Sequence, residues 1–73
     1  MKTYQQLWQS ITPLYGAGEA QAIVRTVLDV KYGMTLTDII CGKVNELSAD
    51  EERKLEEIIR RLKKGEPVQY VLG

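Results

Sequence analysis

Apolar residues recur along the chain with a helical period in three long stretches and one short one. Tyr4, Leu7, Trp8 and Ile11 stand at the i, i+3, i+4, i+7 spacing that places them on one helical face. This predicts a first helix over Thr3 to Ile11, with Thr3 as N-cap and Pro13 as terminator, because the proline ring disfavours helical backbone at Thr12. "LYGAG" then reads as a helix-to-helix turn through Gly16 and Gly18, with Glu19 in the first turn of the next helix. That second helix is predicted over Ala17 to Tyr32, stopped by Gly33. Its stripe of Ala20, Ile23, Val24, Val27, Leu28 and Val30 is wide enough to meet more than one neighbour.

"TLTDIICG" predicts one or two turns, with Thr35 and Asp38 as a capping pair and Gly42 as the stop. "KVNEL" is a connector whose Val44 and Leu47 tuck inward. The fourth helix, Ser48 to Lys64, has the plainest signal. Ser48 and Glu51 form a capping box, and Leu55, Ile58, Ile59 and Leu62 form the apolar stripe. Asp50, Glu51 and Glu52 lie at its start and Arg60, Arg61, Lys63 and Lys64 at its end, each favourable to the helix dipole. Glu56–Arg60 and Glu57–Arg61 are the expected i, i+4 pairs. After Gly65, "PVQYVL" predicts a short fifth helix begun by Pro67, with Tyr70 packed on the fourth helix and the last two or three residues frayed.

The fold class is therefore all-α, a small orthogonal or antiparallel bundle of four helices plus a short fifth. Its expected core is Leu7, Trp8, Ile11, Val24, Val27, Leu28, Leu55, Ile58, Ile59 and Leu62. Seventy-three residues suffice for one small domain, which buries only about 60% of its unfolded surface. The 44% hydrophobic and 27% charged content fits a folded globule. Ten basic and ten acidic residues cancel, so the overall charge favours neither nucleic acid nor an acidic membrane. No stretch has the length of a membrane span or the apolar centre of a signal peptide, and a cytoplasmic monomer is expected.

The candidate chemistry is sparse. Histidine is absent, which removes the commonest general base and metal ligand. Ser48, Thr35 and Thr3 read as caps, and Cys41, which has no pairing partner, reads as a small buried apolar residue. "GAGEAQ" lacks the strand that a phosphate loop requires. A helix-turn-helix would need outward base-reading side chains where Ile39, Ile40 and Cys41 stand. The basic cluster at 60–64 reads as a solvated last turn balanced by the acids one helix-length away. No residue qualifies as catalytic, cofactor-binding or metal-ligating.

"RRLKKGEPVQYVLG" at the C-terminus resembles the "RR…GEP…QY(I/V)LG" signature of the HemK/PrmC family, the S-adenosylmethionine-dependent N5-glutamine methyltransferases of peptide-chain release factors. Arg60, Arg61, Gly65, Glu66, Pro67, Gln69, Tyr70, Leu72 and Gly73 carry the resemblance. "AGEAQAIVRTVLDVKYG" is similar to the family's second helix, though "IVRTVLDV" is more β-branched than its usual leucine-rich form. The resemblance implies that residues 1–66 are an N-terminal helical domain that docks the release factor. Residues 67–73 would then begin the link to a Rossmann-like catalytic domain absent from this chain, the chain being cut at that point. That domain would hold S-adenosylmethionine and the Asn-Pro-Pro-Tyr motif. The parent would methylate the glutamine of the release factor's Gly-Gly-Gln motif, and this chain alone would be inactive. The implied partners are class-1 release factors and the protein's own catalytic domain. Two other readings are a small helical interaction module unrelated to methyl transfer and an RNA-binding surface at 60–64.

Overall fold

The structure is a computed structural model that describes residues 3–73; Met1 and Lys2, the first residues of the expected 1–66 domain, lie outside the described residues. Five α-helices occur in order: α1 (Tyr4–Tyr15), α2 (Ala17–Tyr32), α3 (Leu36–Ile40), α4 (Ala49–Lys63) and α5 (Val68–Leu72), with a 3₁₀ turn over Lys43–Glu46. No strand occurs among the described residues. α2 packs against α1 and α5, and α4 against α1 and α5.

Three helices begin with reciprocal capping boxes. Thr3 with Gln6, Thr35 with Asp38 and Ser48 with Glu51 each exchange side-chain and backbone hydrogen bonds, satisfying amides that have no partner within the helix. The predicted bounds of α2 match those observed, and Gly33 ends it with its N–H donating to Asp29 O.

Helix α1 corrects one expectation, since it runs through Pro13 to Tyr15. Proline so near a helix end withholds one hydrogen bond, the one due to the Gln9 carbonyl. The last turn keeps its own closing bond, Gly16 N–H donating to Thr12 O at 2.8 Å, and is tied to α4 by Tyr15 Oη, which donates to Leu62 O at 3.1 Å. Gly16 alone joins α1 to α2, at φ 81° and ψ 158°, a conformation open to glycine and strained for any residue with a Cβ. Gly18, expected in the turn, lies inside α2.

The core holds Leu7, Ile11, Ala20, Val24, Val27, Leu28, Leu55, Ile59 and Leu62 from the long helices. It is completed by Met34, Ile39, Val44, Leu47 and Val71 from the shorter segments. Trp8 and Ile58, expected in the core, lie half-buried at its edge. Val30 is 61% exposed because it sits roughly a quarter turn round α2 from the Val24–Val27–Leu28 face. Cys41, expected inside, is exposed at the C-cap of α3, and Ile40 beside it is 76% exposed. A five-residue helix has one inward face, and Ile39 occupies it.

Three tyrosines join the long helices in pairs. Tyr4 Oη donates to Gln21 O (α1 to α2, 3.2 Å), Tyr15 Oη to Leu62 O (α1 to α4, 3.1 Å) and Tyr32 Oη to Glu51 O (α2 to α4, 3.0 Å). Each ring lies against the core while its hydroxyl reaches the second lone pair of a helical carbonyl. Burial pushes the Tyr4 and Tyr32 hydroxyls above the ordinary phenol pKa; at Tyr32 the Glu51 charge adds to this.

Candidate interaction site at the C-terminal joint

The signature residues divide into a turn-building group and an outward-facing group. At the end of α4, Gly65 N–H donates to Leu62 O (3.0 Å) and Glu66 N–H to Arg61 O (3.3 Å). This paired closure requires a left-handed residue at its centre, and Gly65 supplies it at φ 90°. The backbone bond from 66 to 61 also brings those two side chains together. In most such stops that pair makes a hydrophobic contact. Here it is an ion pair: Arg61 Nε donates to Glu66 Oε1 at 3.1 Å and Oε2 at 3.3 Å, and Nη2 donates to Oε1 at 2.9 Å. The expected Glu57–Arg61 pair is not formed, because the turn supplies Arg61 with a nearer carboxylate; Glu57 instead meets Arg60 at 2.8 Å.

Pro67 comes next at φ −59° and ψ 140°, one position before the first helical residue rather than at it. Its carbonyl accepts from Tyr70 N (3.0 Å) and Val71 N (3.1 Å), which starts α5. Val71 is buried in the core, with Val68 and Leu72 half-buried beside it. Positions 68, 71 and 72 share one helical face, so 69 and 70 must point away. Tyr70 is accordingly 76% exposed and does not pack on α4. The helix continues to Leu72 with Val71 buried.

Thus Arg61, Gly65, Glu66 and Pro67 converge on one turn, whereas Arg60, Gln69, Tyr70 and Gly73 are exposed and do not converge. The sequence offered no local sign of the Tyr15 hydroxyl that braces this turn at Leu62 O. With Arg60 on Glu57 and Arg61 on Glu66, two of the four cations at 60–64 already face carboxylates. Among the described residues, no group of three or more His, Cys, Asp or Glu side chains could hold a metal ion.

The grooves among the described residues include two of similar size. One, of about 400 Å³, runs between α2 and α3 and is lined by Arg25, Thr26, Asp29, Met34, Leu36 and Ile39, among others. The second, of about 460 Å³, lies where the end of α2 meets α4 and α5, over Tyr32, Ile58 and Val71 with Lys31, Lys54 and Glu57 at its sides.

Two carboxylates make a pH-dependent contribution whose direction follows from their hydrogen bonds. The Arg61 hydrogen bonds hold Glu66 below its ordinary pKa, and backbone and side-chain hydrogen bonds from Thr35 do the same for Asp38. A depressed native pKa stabilises the fold above the unfolded pKa and loses that contribution as pH falls through the native value. The thermal midpoint is expected to be flat from pH 7 to 5 on this account and to fall below about pH 4.5. Glu66→Gln should flatten part of that fall; an unchanged acid limb would remove Glu66 as one of its causes.

The joint and the capped bundle define a small all-α domain. The chain belongs to the PrmC N-terminal domain family, whose model matches residues 13–73. It is 40% identical over 65 residues to a release factor glutamine methyltransferase of Bacteroides thetaiotaomicron, a match covering 89% of this chain and 23% of the relative. The chain therefore spans about a quarter of that relative's length. No solved structure matches the chain. No helix among the described residues is long and apolar enough to cross a membrane.

Proposed function

We propose that this chain is the substrate-recognising N-terminal domain of a release factor glutamine methyltransferase. The observation that carries the reading is the 40% identity to a relative bearing that activity, sustained over 89% of the chain. On this reading residues 1–66 form the docking body and 67–73 begin the link to a Rossmann-like domain that binds S-adenosylmethionine. That second domain transfers the methyl group to the side-chain amide nitrogen of the Gly-Gly-Gln glutamine of class-1 release factors, in the cytoplasm. The 73 residues contribute neither catalytic nor cofactor-binding groups and are inactive and monomeric alone.

The chemistry explains why a separate docking domain helps. An amide nitrogen is a weak nucleophile, because its lone pair is delocalised into the carbonyl. The reaction therefore depends on holding the glutamine in one attack geometry, and binding surface remote from the reacting atoms supplies that orientation. A histidine-free bundle suits this role, since it recognises by shape. The test compares the full gene product with a form lacking residues 1–66, using an intact release factor and a short Gly-Gly-Gln peptide as substrates. Loss of at least tenfold in kcat/KM on the intact factor, with the peptide rate little changed, is the expected result. Equal rates for both forms on the intact factor would end the docking role.

A further inference from the structure

The corner between α1 and α2 is a helical hydrogen-bond ladder with its middle rungs missing. On one side Gly16 N–H donates to Thr12 O at 2.8 Å, and on the other Ala20 N–H donates to Gly16 O at 2.9 Å. Both are i to i−4 bonds, so the same ladder stands before and after Gly16. Between them, the amides of Ala17, Gly18 and Glu19 have no protein acceptor among the described residues, and no backbone amide donates to the carbonyls of Pro13, Leu14 and Tyr15. Helix α2 also lacks the side-chain cap that begins α1, α3 and α4. The interruption is the backbone of Gly16, at φ 81° and ψ 158°. Rotation of Gly16 to helical values would pair 17 with 13, 18 with 14 and 19 with 15, joining α1 and α2 into one helix over residues 4–32. Pro13 does not oppose this, because the bond it withholds from Gln9 O is already missing.

A single chain cannot straighten in this way and keep its core. Leu7 and Ile11 on α1 are 2% and 1% exposed, and both would leave the interior, as the Tyr4 hydroxyl would leave Gln21 O. The slot left on α2 and α4 has the shape of α1, and close packing admits little else.

We infer that α1 is an exchangeable element and that its partner is a second copy of this chain: each Gly16 turns helical and each α1 fills the other chain's slot. The buried contacts of Leu7 and Ile11 are remade between chains, and the three missing backbone bonds form in each. Opposing this is the loss of freedom on association. The closed monomer is therefore the form at low concentration, and the exchanged dimer grows by mass action.

Sedimentation equilibrium from about 10 μM to about 1 mM compares the parent with two hinge variants. In Gly16→Ala the added Cβ meets no atom within 4 Å, so the substitution penalises only the positive-φ corner while favouring the helical one. Insertion of Gly-Gly-Ser after Gly16 does the opposite, relaxing the corner and weakening a continuous helix. The expected result is a dimer of the parent at the upper end of the range, dimerisation at least tenfold tighter for Gly16→Ala, and none for the insertion. An insertion chain that pairs like the parent would show association through an outer face and overturn the exchange. So would a parent or a Gly16→Ala chain that stays monomeric throughout.

A mixing experiment in the Gly16→Ala background separates exchange from any other dimer. Leu7→Asp damages α1, and Leu62→Asp damages the body that receives it; each buries an unpaired charge and should unfold its chain alone. Exchange sets the intact α1 of the second chain on the intact body of the first. Circular dichroism of the mixture should then regain helical signal, most at equal proportions. A mixture that shows only the average of its two parts would overturn the inference, whatever sizes are observed.

Discussion

Leu62→Ala is expected to leave the 73-residue domain largely unfolded at 25 °C. Leu62 is 0% exposed and sits in the last full turn of α4. Its backbone carbonyl accepts from both the Gly65 amide and the Tyr15 hydroxyl. Truncating a buried leucine costs about 2–5 kcal/mol, from lost transfer energy and the cavity that remains. A single core in a domain this small supplies only about 3–5 kcal/mol in total. The two magnitudes are comparable, so the substitution consumes most of the stability. Urea titration monitored by circular dichroism is the measurement. Ile40→Ala, at a side chain 76% exposed, is the paired control and should stay within about 0.5 kcal/mol of the parent. A Leu62→Ala midpoint close to the control's would refute the assignment of Leu62 to the core.

Pro13→Ala should act in the opposite direction and stabilise the domain. Pro13 lies within α1, is exposed, and has no N–H to give the Gln9 carbonyl. Proline inside a helix costs about 3 kcal/mol relative to alanine. Here only the last turn is affected, and the substitution gives up about 0.4–1 kcal/mol of restraint on the unfolded chain. The net gain expected is about 1–2 kcal/mol. For a domain of this size each kcal/mol raises the thermal midpoint by roughly 4–8 °C. A midpoint equal to or below the parent's would show that the Pro13 ring stabilises α1 through packing that outweighs the lost hydrogen bond.

Leu62 and Pro13 also mark where local rules hold and where they fail. Spacing alone assigns Leu62 to the core, because a helix with charges on every other face can bury only one stripe. The rule that proline terminates a helix fails at Pro13, because Tyr15 reaches a carbonyl on α4, 47 positions away. The same limit applies at the joint. The glycine stop and the proline start are legible, since both are backbone properties of single residues. The choice of Glu66 over Glu57 as partner of Arg61 is not, because it depends on the paired closure around Gly65.

The order of residues is enough to set the helical content, the capping boxes at Thr35 and Ser48, the centres of the inner stripes of α2 and α4 (Val24, Val27 and Leu28; Leu55, Ile59 and Leu62), and the family to which the chain belongs. All of these reside in spacing, short-range hydrogen bonds or directly matched residues. Which side of each short helix is buried is settled only by packing. In α3 it took Ile39 and left Ile40 and Cys41 outside; in α5 it took Val71 and left Tyr70 in solvent. A five-residue helix is too short for periodicity to name its inner face, so the neighbours it packs against make that choice.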